Sequence, residues 1–355
     1  MKNFYVEDAP RFDNQKIVSY FVVAALQVRA KKTGEPFLQL TLADRTGQIE
    51  AKMWDNVENS LWQDGSKTKR KFEAGDCVKV GGQVNKFNDR FQIVVGQIRP
   101  ATDAEKDPTD MLPASSRDVG EMWAELQQRV STVKDPHLRQ LLESFLNAPA
   151  LAEQLRHAPA AKMLHHAWIG GLLEHILSLM ALAGSVLPHY PQVNRDLVLT
   201  GVMLHDIGKV SELTYDNCFG YSLEGQMLGH ITIGLGMARD RMATIPGFPP
   251  KLRMLVEHLI ISHHGSYEFG SPKLPMTAEA VMLSMLDDLD AKMQLMQSEF
   301  RRQQIAGHDG AQMTDWVRAM ERPLLDTSRY LAEAVSEMRS ENVLPGEDDA
   351  VPAED

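Results

Sequence analysis

Only two cysteines, Cys77 and Cys218, stand in 355 residues, far apart and without a CxxC context, so a disulfide framework is not expected. No apolar run approaches the roughly 20 residues needed to span a bilayer. The amino-terminal stretch MKNFYVEDAPRF carries acids and has no apolar core segment, unlike a signal peptide. A reduced, cytoplasmic chain that keeps off membranes is expected. Basic charge is also in deficit, with a formal net charge of −11. That deficit is uneven. Residues 1–100 hold 16 Lys+Arg against 12 Asp+Glu, a balance of +4, which leaves −15 for the other 255 residues. The last fifteen (ENVLPGEDDAVPAED) hold six acids and no base, and 339–355 reads as a solvated acidic tail. Total charge therefore does not exclude nucleic acid, because phosphate binding depends on local fields and on cations.

With 43% apolar and 24% charged residues the composition is that of an ordinary globular protein with room for two domains. After an amino-terminal arm (1–15), residues 16–100 read as strands. Segment 17–28 is rich in β-branched and aromatic residues, and Leu38, Leu40 and Leu42 alternate with Phe37, Gln39 and Thr41. Asp44-Arg-Thr-Gly47 turns into a third strand at 48–54, a short helical or irregular stretch covers Asp55–Trp62, and strands at 77–86 and 90–98 follow. Five short strands with a helix between the third and fourth give the order of an OB-fold barrel. Residues 101–120 are polar and carry prolines at 108 and 113, so they read as a linker. Over 121–338 helical spacing predicts an all-α bundle, with segments at 121–133, 136–147, 160–187, 194–205, 227–244, 250–263, 277–304 and 313–338.

Histidine and aspartate are scattered through that bundle in a way that reads as one metal site. His175 lies in a long, nearly uncharged helix. His205-Asp206 ends the apolar stretch DLVLTGVML and runs straight into Ile207-Gly208-Lys209. A carboxylate at the inner end of a buried helix is costly without a cation or partner. Gly208 lets the backbone approach closely, and Lys209 is placed to meet a phosphate oxygen. His230, the doublet His263-His264, and Asp287 complete the set, with Asp290 read as a supporting partner on the same helix. Imidazole with carboxylate suits two divalent ions of the Mn2+ type, with Co2+, Fe2+, Ni2+ or Mg2+ as substitutes. Paired cations can stabilise both the attacking and the leaving oxygen of a phosphate ester.

His…His-Asp…Asp with HDIGK resembles the HD superfamily of metal-dependent phosphohydrolases. That resemblance puts the first ion on His175, His205, Asp206 and Asp287. It offers His230 and His263 for a second ion, with His264 facing substrate or supporting a ligand. GYSLEGQMLGHI, HHGSYEFGSPKLP, LDDLDAKM and MLHHAWIGGLLEHILS look like the YhaM family of 3′-to-5′ exoribonucleases, in which an OB-fold precedes the HD domain. The resemblance covers nearly the whole chain outside the acidic tail. It implies a metal-dependent exonuclease that shortens single-stranded RNA, with single-stranded DNA left open as a further substrate, releasing nucleoside 5′-monophosphates. A homo-oligomer is expected. His166 lies nine residues before His175, almost on the opposite helical face, and either contacts the scissile nucleotide or packs.

OB-folds stack bases on aromatics while basic side chains track the backbone. With Leu38, Leu40 and Leu42 facing inward, Phe37 points outward, and Lys52, Trp54, Lys86 and Arg90 are its nearby candidates. The alternative for Trp54 is a barrel cap. Two rival functions remain in view: an HD nucleotidase or phosphodiesterase for small nucleotides, which needs no OB-fold, and a nucleic-acid-binding protein with an inert HD site, which would be expected to lose a ligand.

Overall fold

The computed structural model describes residues 2–63, 68–88, 90–105, 107–161, 168–215, 219–305 and 313–332. His166, Cys218 and the acidic tail lie outside them.

Five strands close a barrel: β1 (Lys16–Ala30), β2 (Pro36–Asp44), β3 (Gly47–Met53), β4 (Cys77–Phe87) and β5 (Arg90–Pro100), in the order β1-β2-β3-β5-β4. Neighbours are antiparallel except β3 and β5, which run parallel through Glu50↔Gln92 and Lys52↔Val94. The alternation in β2 is realised in packing, since Leu38, Leu40 and Leu42 are fully buried in the barrel core. Helix α1 (Val57–Leu61) sits between β3 and β4, burying Val57 and Leu61. This is the OB-fold arrangement.

The amino-terminal segment is more than an arm. Residues Val6–Phe12 form a 3-10 helix, and Phe4, Val6 and Ala9 join the barrel core. The Lys2 ammonium is buried 2.8 Å from Asp44, whose carboxylate also accepts the Val6 N–H. The segment read as a linker is likewise tied down. Helix α2 (Pro108–Met111) ends in buried Met111 and Leu112, and Ala114 bridges to Ile169. Both segments are polar enough to read as loops, but each carries two or three apolar residues that find a core.

The helical domain contains α3 (Val119–Ser131), α4 (Pro136–Leu146), α5 (Pro149–His157), α6 (Gly171–Val186), α7 (Arg195–Leu204), α8 (Lys209–Glu212), α9 (Leu223–Thr244), α10 (Pro250–Ser262) and α11 (Ala278–Ile305). Asp118, Asp135, Asn194 and Ser222 cap α3, α4, α7 and α9 by accepting backbone N–H groups of the first turn. A two-stranded ribbon, β6 (Leu213–Thr214) with β7 (Gly220–Tyr221), joins α8 to α9. Helices α6 and α7 form the centre, with Leu172, Leu173, Ile176, Val198, Val202 and Met203 fully buried.

Three expectations are corrected here. Of the helix expected over 160–187, residues 162–167 lie outside the described residues, 168–170 form a bend, bridge and turn, and α6 starts at Gly171 after Gly170 takes a left-handed φ of +78°. Gly171–His189 is long and apolar enough by composition to cross a membrane, yet it is the core helix of this domain and buries His175. The segment 313–338 is not one helix among its described residues. Met313 pairs with Leu325 and Val317 with Arg322 around a 3-10 turn at Arg318–Met320, and helix resumes only at 327. Pro323 cannot donate to a helical ladder there.

Candidate metal centre

Four helices and one tight turn deliver the site. His175 comes from α6, His205-Asp206 from the turn after α7, His230 from the interior of α9, His263-His264 from the end of α10, and Asp287 from α11. The turn packs very closely. A Cβ on Gly208 would lie 2.1 Å from the His230 carbonyl, so only glycine lets HDIGK lie against α9. Helix α9 itself is broken at Gly229 (φ +70°, ψ 155°), the residue before His230. The His230 N–H, freed by that break, donates to Glu212 Oε1 at 3.0 Å.

The five imidazoles are oriented by one device: each offers Nδ1 to an outer oxygen. For His205 that oxygen is the Val202 carbonyl (2.8 Å), for His263 the Ile260 carbonyl (2.7 Å), and for His264 the Phe269 carbonyl (2.7 Å). His175 meets Asp290 Oδ2 at 2.8 Å, and His230 meets Glu212 Oε1 at 3.2 Å. A carbonyl can only accept, so Nδ1 of those three rings carries a hydrogen, and in the neutral ring Nε2 is the nitrogen left with a lone pair. Outer oxygens that fix the tautomer in this way are the usual support of histidine metal ligands.

Those Nε2 atoms converge on carboxylates. His175 Nε2 lies 3.2 Å from Asp287 Oδ1 and 3.3 Å from His205 Nε2, which is 3.3 Å from Asp206 Oδ2. The other oxygen, Asp206 Oδ1, faces His230 Nε2 at 3.3 Å and His263 Nε2 at 3.6 Å. Two ligand groups result: His175, His205 and Asp287, and Asp206 with His230, His263 and His264. Asp206 reaches both. Its Oδ1, His230 Nε2 and His263 Nε2 are buried and make no hydrogen bond, despite lying close together. Lone pairs facing one another in a dry interior need a cation between them. The donor set fits divalent metal.

Electrostatics agree. Burial opposes the carboxylate of Asp206, but Lys209 and His205 hold it well below the usual range. Burial likewise opposes the charge on Lys209, whose ammonium lies 2.5 Å from Asp206 Oδ2 and stays protonated more firmly than an ordinary lysine. His263 and His264 are pushed down, chiefly by burial, toward the neutral form a metal needs.

The structure thus brings His175, His205, Asp206, His230, His263 and Asp287 together with Lys209. It also places His264 in the cluster with Asp206, His230 and His263, where the sequence reading has that ring facing substrate or supporting a ligand. Glu212 was missed; its only signal is an acid in the buried stretch that follows HDIGK. Asp290 lies where a supporting carboxylate should, with Ser178 donating to its second oxygen at 2.5 Å.

On the barrel, Phe37 and Trp54 stack on each other, with centroids 4.7 Å apart and an interplanar angle of 24°. Trp54 is not part of the barrel core. Lys52 lies over the exposed Phe87 ring and Lys86 over Phe91, which packs on the core. Arg90 departs from the group: its guanidinium is ion-paired with Asp315 of the carboxy-terminal segment.

Comparison with known proteins agrees with both halves. An OB-fold nucleic acid binding domain family matches residues 22–101, and the HD domain family matches 172–292. The 3′-5′ exoribonuclease YhaM of Bacillus subtilis (strain 168) is 34% identical over 289 residues, covering 81% of this chain and 88% of that protein. The protein of the same name from Bacillus velezensis gives the same figures. That from Halalkalibacterium halodurans is 31% identical over 291 residues, covering 82% of this chain and 88% of its own. With this identity over nearly the full length of those relatives, the chain belongs to the YhaM family of 3′-5′ exoribonucleases.

Proposed function

We propose that this chain removes nucleotides from the 3′ end of single-stranded RNA by hydrolysis, releasing nucleoside 5′-monophosphates. The observation that carries the reading is Asp206, a single buried carboxylate whose two oxygens each face a separate set of histidines. His175, His205 and Asp287 would hold one ion, and His230, His263 and His264 the other, with Asp206 spanning both. Bound there, two divalent cations supply charge compensation at the attacking and leaving oxygens and lower the pKa of water. The preponderance of imidazole favours Mn2+, with Co2+, Fe2+, Ni2+ or Mg2+ as substitutes. Lys209 holds a fixed positive charge beside Asp206, suited to offset charge on phosphoryl oxygens. His175, His205, Asp206 and His263 are buried, and the barrel would hold the strand upstream of the cut. Presence of the barrel argues against a nucleotidase for small molecules, and the complete ligand set argues against an inert site. The reading extends to single-stranded DNA as an alternative substrate, to a homo-oligomer and to a cytoplasmic setting.

The test is digestion of 5′-labelled single-stranded RNA with purified protein and Mn2+, with products resolved by length. A ladder shrinking one nucleotide at a time, stalling at a stable 3′ hairpin, is expected. Immediate release of the labelled end as a mononucleotide, or cuts at internal sites only, overturns the reading.

A further inference from the structure

The loop that follows the His263-His264 doublet carries two aromatic rings into solvent. Tyr267 is 60% exposed and Phe269 is 68% exposed, in a 3-10 turn over Tyr267–Phe269. The loop is nevertheless built firmly. Ser266 N–H donates to the His264 carbonyl at 2.9 Å, and Ser271 N–H closes back onto the Ser266 carbonyl at 3.1 Å. The buried Ser271 hydroxyl lies 2.7 Å from the Lys273 carbonyl and 3.2 Å from that of Ile261, pinning the loop to the end of α10. Gly270, at φ +82°, ends the turn by donating to the Tyr267 carbonyl at 3.0 Å.

One contact ties this loop to the metal centre. The carbonyl of Phe269 accepts the Nδ1 hydrogen of His264 at 2.7 Å, so the residue with the exposed ring also sets the tautomer of a ligand. His264 is among the less buried members of the ligand set, whereas His175, His205 and His263 are fully buried. That partial exposure, shared with His230 and Asp287, puts one open edge of the site beside the loop that carries Tyr267 and Phe269. Two large rings left in water on a rigid loop have an unmet apolar surface, and a nucleotide whose phosphate sits at the ligands carries its base one ribose away.

We propose that Tyr267 and Phe269 form a stacking platform for the base of the 3′-terminal nucleotide, a second base-binding site separate from the barrel. Stacking reads the face of a base, which all four bases share, so the platform places the strand end without selecting sequence. It also couples placement to the metal: a base that settles on Phe269 bears on the carbonyl that orients His264. The assignment rests on the exoribonuclease reading.

The test pairs variants with altered substrates. RNA ending in a normal nucleotide is compared with RNA whose 3′-terminal nucleotide lacks its base, using wild type, Tyr267→Ala/Phe269→Ala and Tyr267→Phe. Wild type should lose about tenfold in kcat/KM on the abasic end, mostly through KM, as expected for one lost stack. The double variant should show that loss already on normal RNA and none further on the abasic end, with metal content unchanged. Tyr267→Phe keeps the ring and should therefore retain the abasic penalty and the quench that the double variant loses. As a binding readout, RNA ending in 2-aminopurine is mixed by stopped flow and its fluorescence followed before turnover. Quenching is expected with wild type and its loss with the double variant. If wild type shortens RNA from the 3′ end but the double variant keeps the abasic penalty or the quench, the platform is wrong and the exonuclease reading stands. If wild type does not shorten RNA from that end, both fall.

Discussion

Asp290 and His175 are locked in a buried hydrogen bond of 2.8 Å between adjacent helices, and Ser178 holds the second oxygen of the same carboxylate. Asp290 is one turn beyond Asp287 on α11, so a single helix face supplies a candidate ligand and the support of another. Its loss should leave the ligand count intact while loosening His175. Asp290→Ala is expected to weaken metal binding by about 10–100-fold, with residual activity recoverable at high Mn2+. Measured by metal titration of chelator-treated protein, an unchanged affinity would show that Asp290 is only a helix-packing residue.

The division of ligands around Asp206 gives an expectation about stoichiometry. Asp206→Ala should abolish hydrolysis and most bound metal, because both groups lose a shared oxygen donor. His230→Ala touches one group only and should retain about half the metal of wild type. Glu212→Gln, which weakens the support of His230, should fall between His230→Ala and wild type. Metal counted by mass spectrometry of the purified variants decides the order. Equal loss in His230→Ala and Asp206→Ala would mean that the two groups do not act as separate ion sites.

Much of this site was legible because its chemistry is expensive to bury. His205-Asp206 at the end of an apolar helix has few explanations besides a ligand pair, and the strand alternation of Leu38, Leu40 and Leu42 left little freedom in the barrel. What escaped depends on backbone geometry that spacing does not encode. Glu212 becomes a partner of His230 only because α9 breaks at Gly229, and a glycine within a helical pattern gives no such notice. Spacing likewise gave no sign that His264 would stand beside His263 in one cluster. The chain leaves α10 between them, so the helical rule that separates adjacent residues to different faces no longer applies at His264. The pairing of Arg90 with Asp315, more than two hundred residues away, has no local signature at all.

Metal-free protein should carry a proton that loading must displace. Burial opposes charge on His175, but hydrogen bonds to Asp287 and Asp290 outweigh it and push its pKa up to about 9. A folded value above the ordinary 6.5 means these contacts stabilise the metal-free fold fully below that pH and are lost as pH rises through 9. The neutral ring is the ligand, so metal binding near pH 7.5 should release about one proton per protein from this group. The release should vanish well above pH 9. Calorimetric titration with Mn2+ in two buffers of different ionisation enthalpy reads the number directly. Identical apparent enthalpies near neutral pH would contradict the protonated state of His175.

The barrel candidates separate by what already occupies them. Phe37 and Trp54 offer a stacked pair on the outer surface, and Lys52 lies beside the exposed ring of Phe87 with its Nζ 5.3 Å from the ring centre. Phe37→Ala should weaken binding of long single-stranded RNA by about 1–3 kcal/mol while leaving hydrolysis of a dinucleotide unchanged. Lys52→Ala should lower the slope of log affinity against log salt by about 0.7, the contribution of one phosphate contact on a single strand. Arg90 is spoken for by Asp315, an exposed ion pair worth little on its own, so Arg90→Ala should leave that slope nearly unchanged. Asp315→Asn carries the opposite sign: it frees the guanidinium, and both affinity and salt slope should rise. Filter binding of a labelled oligonucleotide at several salt concentrations measures all four variants. A fall in slope for Arg90→Ala equal to that for Lys52→Ala would show that RNA displaces Asp315 and that Arg90 belongs to the interface after all.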